Sequence, residues 1–343
     1  MSRAKRFGII AGVVLLLMLG VAYEIFWAPN WFDGDRFITV SKGENFRQVV
    51  DSLESAEIIR SRLLVDAAGR LSGYTTKMQI GKYRFKSGMS NLAILTDLRQ
   101  GTTTELIIVT VPPGMKPTRL AHLLFKHLGI DSSRFLGLVN DSSFVHRLGI
   151  PANSLIGYLT PMTYKFYWQT DEESIAKELV TQFWGVFDSS LRATAASKGL
   201  TMNEVLTMAS IVENETSIDS ERAMIAGVYY NRLRRNMRLQ ADPTVEFLLD
   251  DGPRKLAYSD LDRDSPYNTY RHEGLPPGPI NSPGRASILA ALYPDHHKYL
   301  FFVATGYGGH HFSRTFSQHQ KAIRQYRRVK EEQEEAKEAT SLN

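Results

Sequence analysis

The 343-residue chain contains no cysteine. This excludes a disulfide framework, thiolate metal sites, a cysteine nucleophile and a lipidated N-terminal cysteine. Charge of one sign is also scarce in excess: 41 Lys and Arg against 36 Asp and Glu leave a net charge of +5. That balance suits an anionic or membrane-proximal partner without requiring one. No basic cluster is interleaved with aromatics, so nucleic acid is not an expected partner. Only one apolar run, at the N-terminus, is long enough to cross a bilayer. The remaining composition, 43% hydrophobic and 22% charged, is ordinary for folded protein. The length accommodates two or three domains.

Arg3, Lys5 and Arg6 precede "FGIIAGVVLLLMLGVAY", which carries no charge, and "EIFW" extends the stretch to Trp27. Residues 7–27 would give about 31 Å of helix, enough for a hydrocarbon core of about 30 Å. Glu24 would lie at the far interface beside Trp27 and Trp31 as aromatic anchors, and the basic flank predicts a cytoplasmic N-terminus. A cleaved leader ending near Gly20, Val21 and Ala22 is the competing reading. The run exceeds a usual leader core and aromatic anchors follow it, so a single-pass anchor is expected. Residues 29 to 343 would then be extracytoplasmic, where ATP and nicotinamide cofactors are scarce, and no cofactor is expected.

An α+β architecture is expected after the anchor. "DRFITVSKGENFRQVVDSLESAEII" reads as strand, turn and helix, with Phe46, Val49, Val50 and Leu53 on one buried face. "GKYRFKSGMSNLAILTDLRQG" repeats the pattern, with Leu92, Leu95 and Leu98 inward. This repeat resembles LysM-like modules, small domains that bind glycan strands; an unrelated small α+β unit is the alternative. "ELIIVTVPPG" adds a strand and "PTRLAHLLFKHLGI" an amphipathic helix. The aromatic-rich "SLIGYLTPMTYKFYW" (154 to 168) is too broken for a long helix and serves either a core or a sugar-stacking surface. Helices are expected over 171 to 198, 202 to 214 and 219 to 235, the last opened by a Thr216/Asp219 capping box. The segment 266 to 284, with five prolines and three glycines, is irregular and a candidate cleft wall. "KYLFFVAT" reads as a buried strand, and the tail from Arg324 as a charged, solvated helix. The expected divisions are tip and anchor at 1–28, the LysM-like module at 36–110, a larger mixed α+β catalytic domain at 111–328 and a charged tail at 329–343.

"MASIVENETS" (208 to 217) places two carboxylates near the end of an apolar helix that a Thr201/Glu204 capping box begins. Glu213 and Glu215 point about 200° apart around its axis, at either edge of the apolar arc. They cannot easily share one substrate. Burying either without a partner costs several kcal/mol or forces protonation, so at least one meets a cleft or a hydrogen-bonding group. The bland reading is a pair of helix-end acids, one bound to an arginine such as Arg232 or Arg238.

Four blocks, "MASIVENETS", "YYNRLRRNMRLQADPTVEF", "YNTYRHEGLPPGPINSPG" and "GYGGHHFSRTFSQH", together resemble the endolytic murein transglycosylase family, also called YceG-like. The resemblance extends from the anchor to about residue 328. It implies that Glu215, second Glu of the Glu-x-Glu-Thr motif, is the catalytic acid, with Glu213 structural or supporting. It also lifts Asn231, Gln240, Asp242, Thr244, Tyr267, Asn268 and Tyr270 as sugar-binding or supporting groups. Two departures stand out: Ile156 and Met162 replace acidic residues of the family pattern, and Ser282 stands where many members have Asn. The implied activity is that of a peptidoglycan lytic transglycosylase, a polysaccharide lyase, cutting nascent glycan strands between MurNAc and GlcNAc. Peptidoglycan synthases (penicillin-binding proteins) are the implied neighbours.

Such a reaction leaves 1,6-anhydroMurNAc and needs one acid, because the sugar's own C6 hydroxyl replaces the water and second carboxylate of ordinary glycosidases. The acid must begin protonated, so apolar neighbours such as Met208, Ile211 and Val212 should raise its pKa. His296, His297, His310, His311 and His319 invite a zinc reading, but none forms a metal-binding spacing and no metal is expected. His310 and His319 match family positions as hydrogen-bonding groups. The rivals are a catalytically altered peptidoglycan-binding scaffold and a hydrolytic muramidase using Asp242 as its second carboxylate.

Overall fold

A computed structural model describes residues 3–76, 78–249 and 254–341. The first two residues of the expected tip and the last two of the expected tail lie outside these. The chain forms two compact units. One comprises the chain through Val109 with Leu124–Ile130 and Lys165–Asp171; the other comprises Thr110–Leu123, Asp131–Tyr164 and everything from Glu172 onward.

The first unit begins with the helix Arg3–Phe26. Its apolar window is wholly exposed, with a mean hydropathy of 2.4. By length and composition it is compatible with a single-pass membrane anchor. Beyond it, the strand Arg36–Val40 pairs antiparallel with Gly81–Phe85, in the register Arg36↔Phe85 to Val40↔Gly81. The two expected strand–helix passes therefore close on one another as a single ribbon. Helix Phe46–Ser55 follows the first strand, its start fixed by a reciprocal Asn45/Gln48 capping box. Helix Arg62–Ser72, absent from the sequence expectation, follows it. Helix Asn91–Gln100 completes the unit. Val49, Val50, Leu53, Ile94, Leu95 and Leu98 form the core with Tyr83 and Phe85. Fully burying one such leucine contributes about 1.5–3 kcal/mol. Leu92, expected inward, is only half-buried because Ile94 takes the core position.

In the second unit, helix Met202–Glu215 is central, packed by Asp219–Leu233 and Arg285–Leu292. The Thr201/Glu204 capping box starts it as expected. Every residue from Val205 to Val212 is buried. The helix expected over 171 to 198 is two, Glu172–Val186 and Ser189–Ser197. Asp188 breaks it by accepting from the Leu191 N–H at 3.0 Å, starting the second helix as its cap. The Thr216/Asp219 capping box does not form. Ile218 holds the cap position, and the Thr216 hydroxyl instead accepts from the Ile218 N–H at 3.0 Å.

The aromatic loop plugs the core: Leu155, Tyr158 and Leu159 are fully buried. Gly157, at φ +88°, lies where any Cβ would strike the Pro279 ring at 2.5 Å. The segment 266 to 284 has no helix or strand, as expected, and is fastened to the central helix. Ser210 Oγ accepts from the Ile280 N–H at 3.0 Å, and Asn281 Nδ2 donates to the Ser210 carbonyl at 2.8 Å. Strand Phe301–Ala304 pairs with His310–Ser313. It is half-buried, not buried, because Phe301 and Phe302 line an open recess. The last helix, Phe316–Ser341, is not simply solvated: Ala322 and Val329 are buried, and Gln333 donates to the Gly306 carbonyl at 2.9 Å.

Candidate active site

Glu215 is the last residue of the central helix, and Thr216 behind it is extended (φ −148°, ψ 141°). The helix end thus delivers one carboxyl to the surface of the unit. The Tyr229 hydroxyl donates to Glu215 Oε1 at 2.5 Å. Tyr229 is itself buried and packs edge-on against Phe302, with ring centroids 5.9 Å apart. Its place follows from helix Asp219–Leu233, where Arg222, Ile225, Ala226, Tyr229 and Arg232 form one buried face at 3–4 spacing. The adjacent Tyr230 belongs to another face and donates to the Ala291 carbonyl at 2.9 Å.

Burial raises the Glu215 pKa to about 7, and the negative fields of Asp242 and Glu246 add to the rise. The Tyr229 hydrogen bond and the Arg232 charge oppose it. The side chain is partly buried and reaches solvent only at the floor of an open cleft. Near neutral pH this acid can both hold and release a proton.

Two recesses meet at Glu215. One, of about 300 Å³, is lined by Tyr229, Arg232, Gln240, Asp242, Tyr270 and His319, with Phe301, Phe302 and Phe316 as apolar wall. The other, of about 370 Å³, lies beside Thr216, Gly306, Gly308, His310, Tyr326 and Lys330. In the first, the Arg232 guanidinium is tied to the Leu239 and Leu300 carbonyls, each at 2.7 Å, and lies 5.1 Å from the Phe301 ring centroid. The Tyr270 hydroxyl donates to Asp242 Oδ1. Gln240 adopts φ +50°, a costly conformation for a side chain of its size and one that clusters at functional sites. His319 stacks on Phe301 at 5.1 Å, and its burial lowers its pKa, favouring the neutral ring.

Glu213 faces elsewhere. Its Oε1 lies 3.1 Å from Arg222, and its Oε2 accepts from the Gly284 N–H at 2.8 Å. Arg222, not Arg232 or Arg238, is its arginine. Three other sequence candidates have their polar atoms engaged internally. Asn268 Nδ2 donates to the Leu261 and Arg263 carbonyls. The Thr244 hydroxyl bonds the Ala241 carbonyl and Thr269. Asn231 Nδ2 donates to the His297 and Tyr299 carbonyls. Tyr267 lines a separate recess with Asn203, Pro277 and Ile156. Met162 is exposed, and neither it nor Ile156 borders the two recesses at Glu215. Among the described residues, no three His, Asp or Glu side chains converge on a metal position. His310 joins Glu221 instead, through its N–H at 2.8 Å and Nδ1 at 2.7 Å. Tyr229, the Phe301/Phe302 wall and, on the C-terminal helix, Phe316, Tyr326 and Lys330 escape the motif-based reading, whereas His319 on that helix does not. The 3–4 periodicity of helix 219 to 233 is the signal that points to Tyr229.

A model of the YceG-like family matches residues 38–325. The chain belongs to the YceG-like family. Its relatives include the endolytic murein transglycosylase of Bacillus subtilis (strain 168), 31% identical over 304 residues that cover 84% of each chain. That of Streptococcus pneumoniae (serotype 2, strain D39) is 30% identical over 304 residues, 78% of this chain and 54% of the pneumococcal one. Among solved structures, a yceG-like protein from Listeria monocytogenes is 30% identical with a TM-score of 0.61, covering 84% of this YceG-like chain and 98% of its own.

Proposed function

We propose that this chain is a membrane-anchored peptidoglycan lytic transglycosylase whose catalytic acid is Glu215. The observation that carries the reading is a single helix-end carboxyl, raised to about 7, at the junction of two recesses. The protonated acid donates to the oxygen between MurNAc and GlcNAc, and the C1–O bond breaks through an oxocarbenium-like state. The substrate's N-acetyl oxygen stabilises C1. The Glu215 carboxylate then takes the C6 hydroxyl proton as that oxygen attacks C1, closing a 1,6-anhydro ring and restoring the acid. The intramolecular nucleophile supplies what a second carboxylate would. The Tyr229 hydrogen bond and Arg232 charge favour the carboxylate formed midway. Gln240, Asp242 and Tyr270 are the exposed polar groups for sugar contacts, while Asn231, Thr244 and Asn268 hold the backbone around them. Recesses on both sides of Glu215 suit a continuous strand, hence endolytic cutting.

The anchor reading is supported by the exposed apolar helix and its basic flank, with the N-terminus cytoplasmic and residues 29 to 343 extracytoplasmic. The strand–helix–helix–strand order of the first unit supports a LysM-like, glycan-binding role. Peptidoglycan synthases are the neighbours such an enzyme would serve, since its cut ends strand elongation. Asp242 in the same recess favours one rival, a hydrolytic muramidase, which the oxygen source of the product distinguishes. The assignment of the acid is tested with purified glycan: Glu215→Gln should be folded and inert, and Glu213→Gln should keep measurable activity. The reverse pattern would overturn it.

A further inference from the structure

The apolar helix is not joined to the first unit by a loose tether. Ala22, Ile25 and Phe26 are partly buried against it. Asn91 Nδ2 donates to the Ile25 carbonyl at 2.9 Å, and Asn30 Nδ2 donates to Asn91 Oδ1 at 2.9 Å. Both asparagines are buried. Asn30 Oδ1 accepts from the Arg60 N–H at 3.0 Å, while the Arg60 guanidinium pairs with Glu24 at 3.2 Å. Glu24, Asn30 and Arg60 thus form one node where the helix meets the folded unit.

Three large apolar side chains close to this node along the chain are exposed: Trp27 at 55%, Trp31 at 72% and Leu63 at 80%. Chain geometry keeps them close. Trp31 adjoins Asn30, Trp27 lies within one turn of Glu24, and Leu63 is at most about 11 Å from Arg60 between Cα atoms. Single exposed apolar residues need no explanation, but three around the exit of an apolar helix form a patch that water disfavours. Depth decides what covers it. From Phe7, past the basic residues at its start, to Trp27 the apolar stretch spans about 31 Å against a hydrocarbon core of about 30 Å, so the last turn reaches the boundary between acyl chains and headgroups. Tryptophan favours that boundary, and a leucine there reaches the acyl chains.

We propose that Trp27, Trp31 and Leu63 form a collar inserted into the headgroup–acyl boundary of the leaflet from which the anchor emerges, seating the first unit on the lipid. The inference rests on the anchor reading. It makes the first unit a second membrane contact that fixes its tilt and height, instead of a domain swinging from a stalk.

The absence of cysteine makes the test direct. Full-length Val14→Cys, Leu63→Cys and Ser190→Cys proteins are spin-labelled and reconstituted in phosphatidylethanolamine/phosphatidylglycerol vesicles. Collision rates with oxygen, which partitions into lipid, and with a water-soluble nickel chelate are then compared. Ser190, exposed in the other unit, gives the water reference, and Val14 the hydrocarbon one. The collar predicts an oxygen-to-nickel ratio at Leu63 several-fold above that at Ser190. A Leu63 ratio equal to that at Ser190, with Val14 still shielded from nickel, overturns the collar and leaves the anchor standing. A nickel-accessible Val14 label overturns the anchor, and the collar with it.

Discussion

Replacing Glu215 by glutamine should abolish activity and yet stabilise the catalytic unit at alkaline pH. The folded-state pKa of about 7 exceeds the ordinary 4.5 because burial penalises the charge. Between those values the folded protein holds a proton that the unfolded chain has released, so stability falls as pH rises. The stabilisation that the neutral carboxyl provides is complete below about pH 4.5 and is lost once the pH passes about 7. The full difference corresponds to about 3 kcal/mol, and the solvent contact at the cleft floor reduces it to about 1–3 kcal/mol. Glutamine keeps the shape and can still accept from the Tyr229 hydroxyl, but it never ionises. Urea unfolding followed by Trp184 emission reads the catalytic unit alone once Trp27, Trp31 and Trp168 are replaced by Phe. Glu215→Gln should match the parent near pH 4.5 and exceed it by about 1–3 kcal/mol at pH 8. An advantage that is the same at both pH values, or a loss at pH 8, would refute the reasoning.

Three further outcomes follow from the same geometry. Tyr229→Phe removes a hydrogen bond to a charged group, worth about 1.5–3 kcal/mol, so the alkaline limb of the activity profile should move up by about one to two pH units while the neutral rate falls at least about tenfold; an unmoved limb contradicts the role given to Tyr229. Glu213→Gln breaks a buried ion pair and should cost about 3 kcal/mol in the same unfolding assay, at the low end for such pairs because Arg222 retains Asp219 and Ser287; a change under about 0.5 kcal/mol would show the pair to be idle. Protease added outside intact cells stripped of their wall should degrade residues 29 to 343, with the protein in the membrane fraction; a mature form beginning near Tyr23 and free in solution contradicts the anchor.

The two glutamates were separable in the sequence because helix geometry alone sends residues two apart to different faces. The structure adds their destinations, Arg222 and Gly284 for Glu213 and Tyr229 for Glu215. Those partners lie on other elements, so their identity was open until the packing of helices was known. The single helix expected over 171 to 198 failed because a cap at Asp188 restarts the helix inside a continuous apolar pattern. Asn231, Thr244 and Asn268 show the limit of reading motifs: a polar residue in a family block serves the backbone as readily as the substrate, and only burial tells the two apart. The apolar half of the cleft, Phe301, Phe302 and Phe316, was hidden because an aromatic wall and an aromatic core have the same local pattern.

The central claim is that the sugar's own C6 hydroxyl, not water, completes the reaction at Glu215. Digestion of long, uncrosslinked glycan in water enriched in heavy oxygen, followed by mass spectrometry of the new ends, addresses it directly. The account predicts internal cuts yielding 1,6-anhydroMurNAc ends without label. Labelled reducing MurNAc ends would show hydrolysis and contradict it.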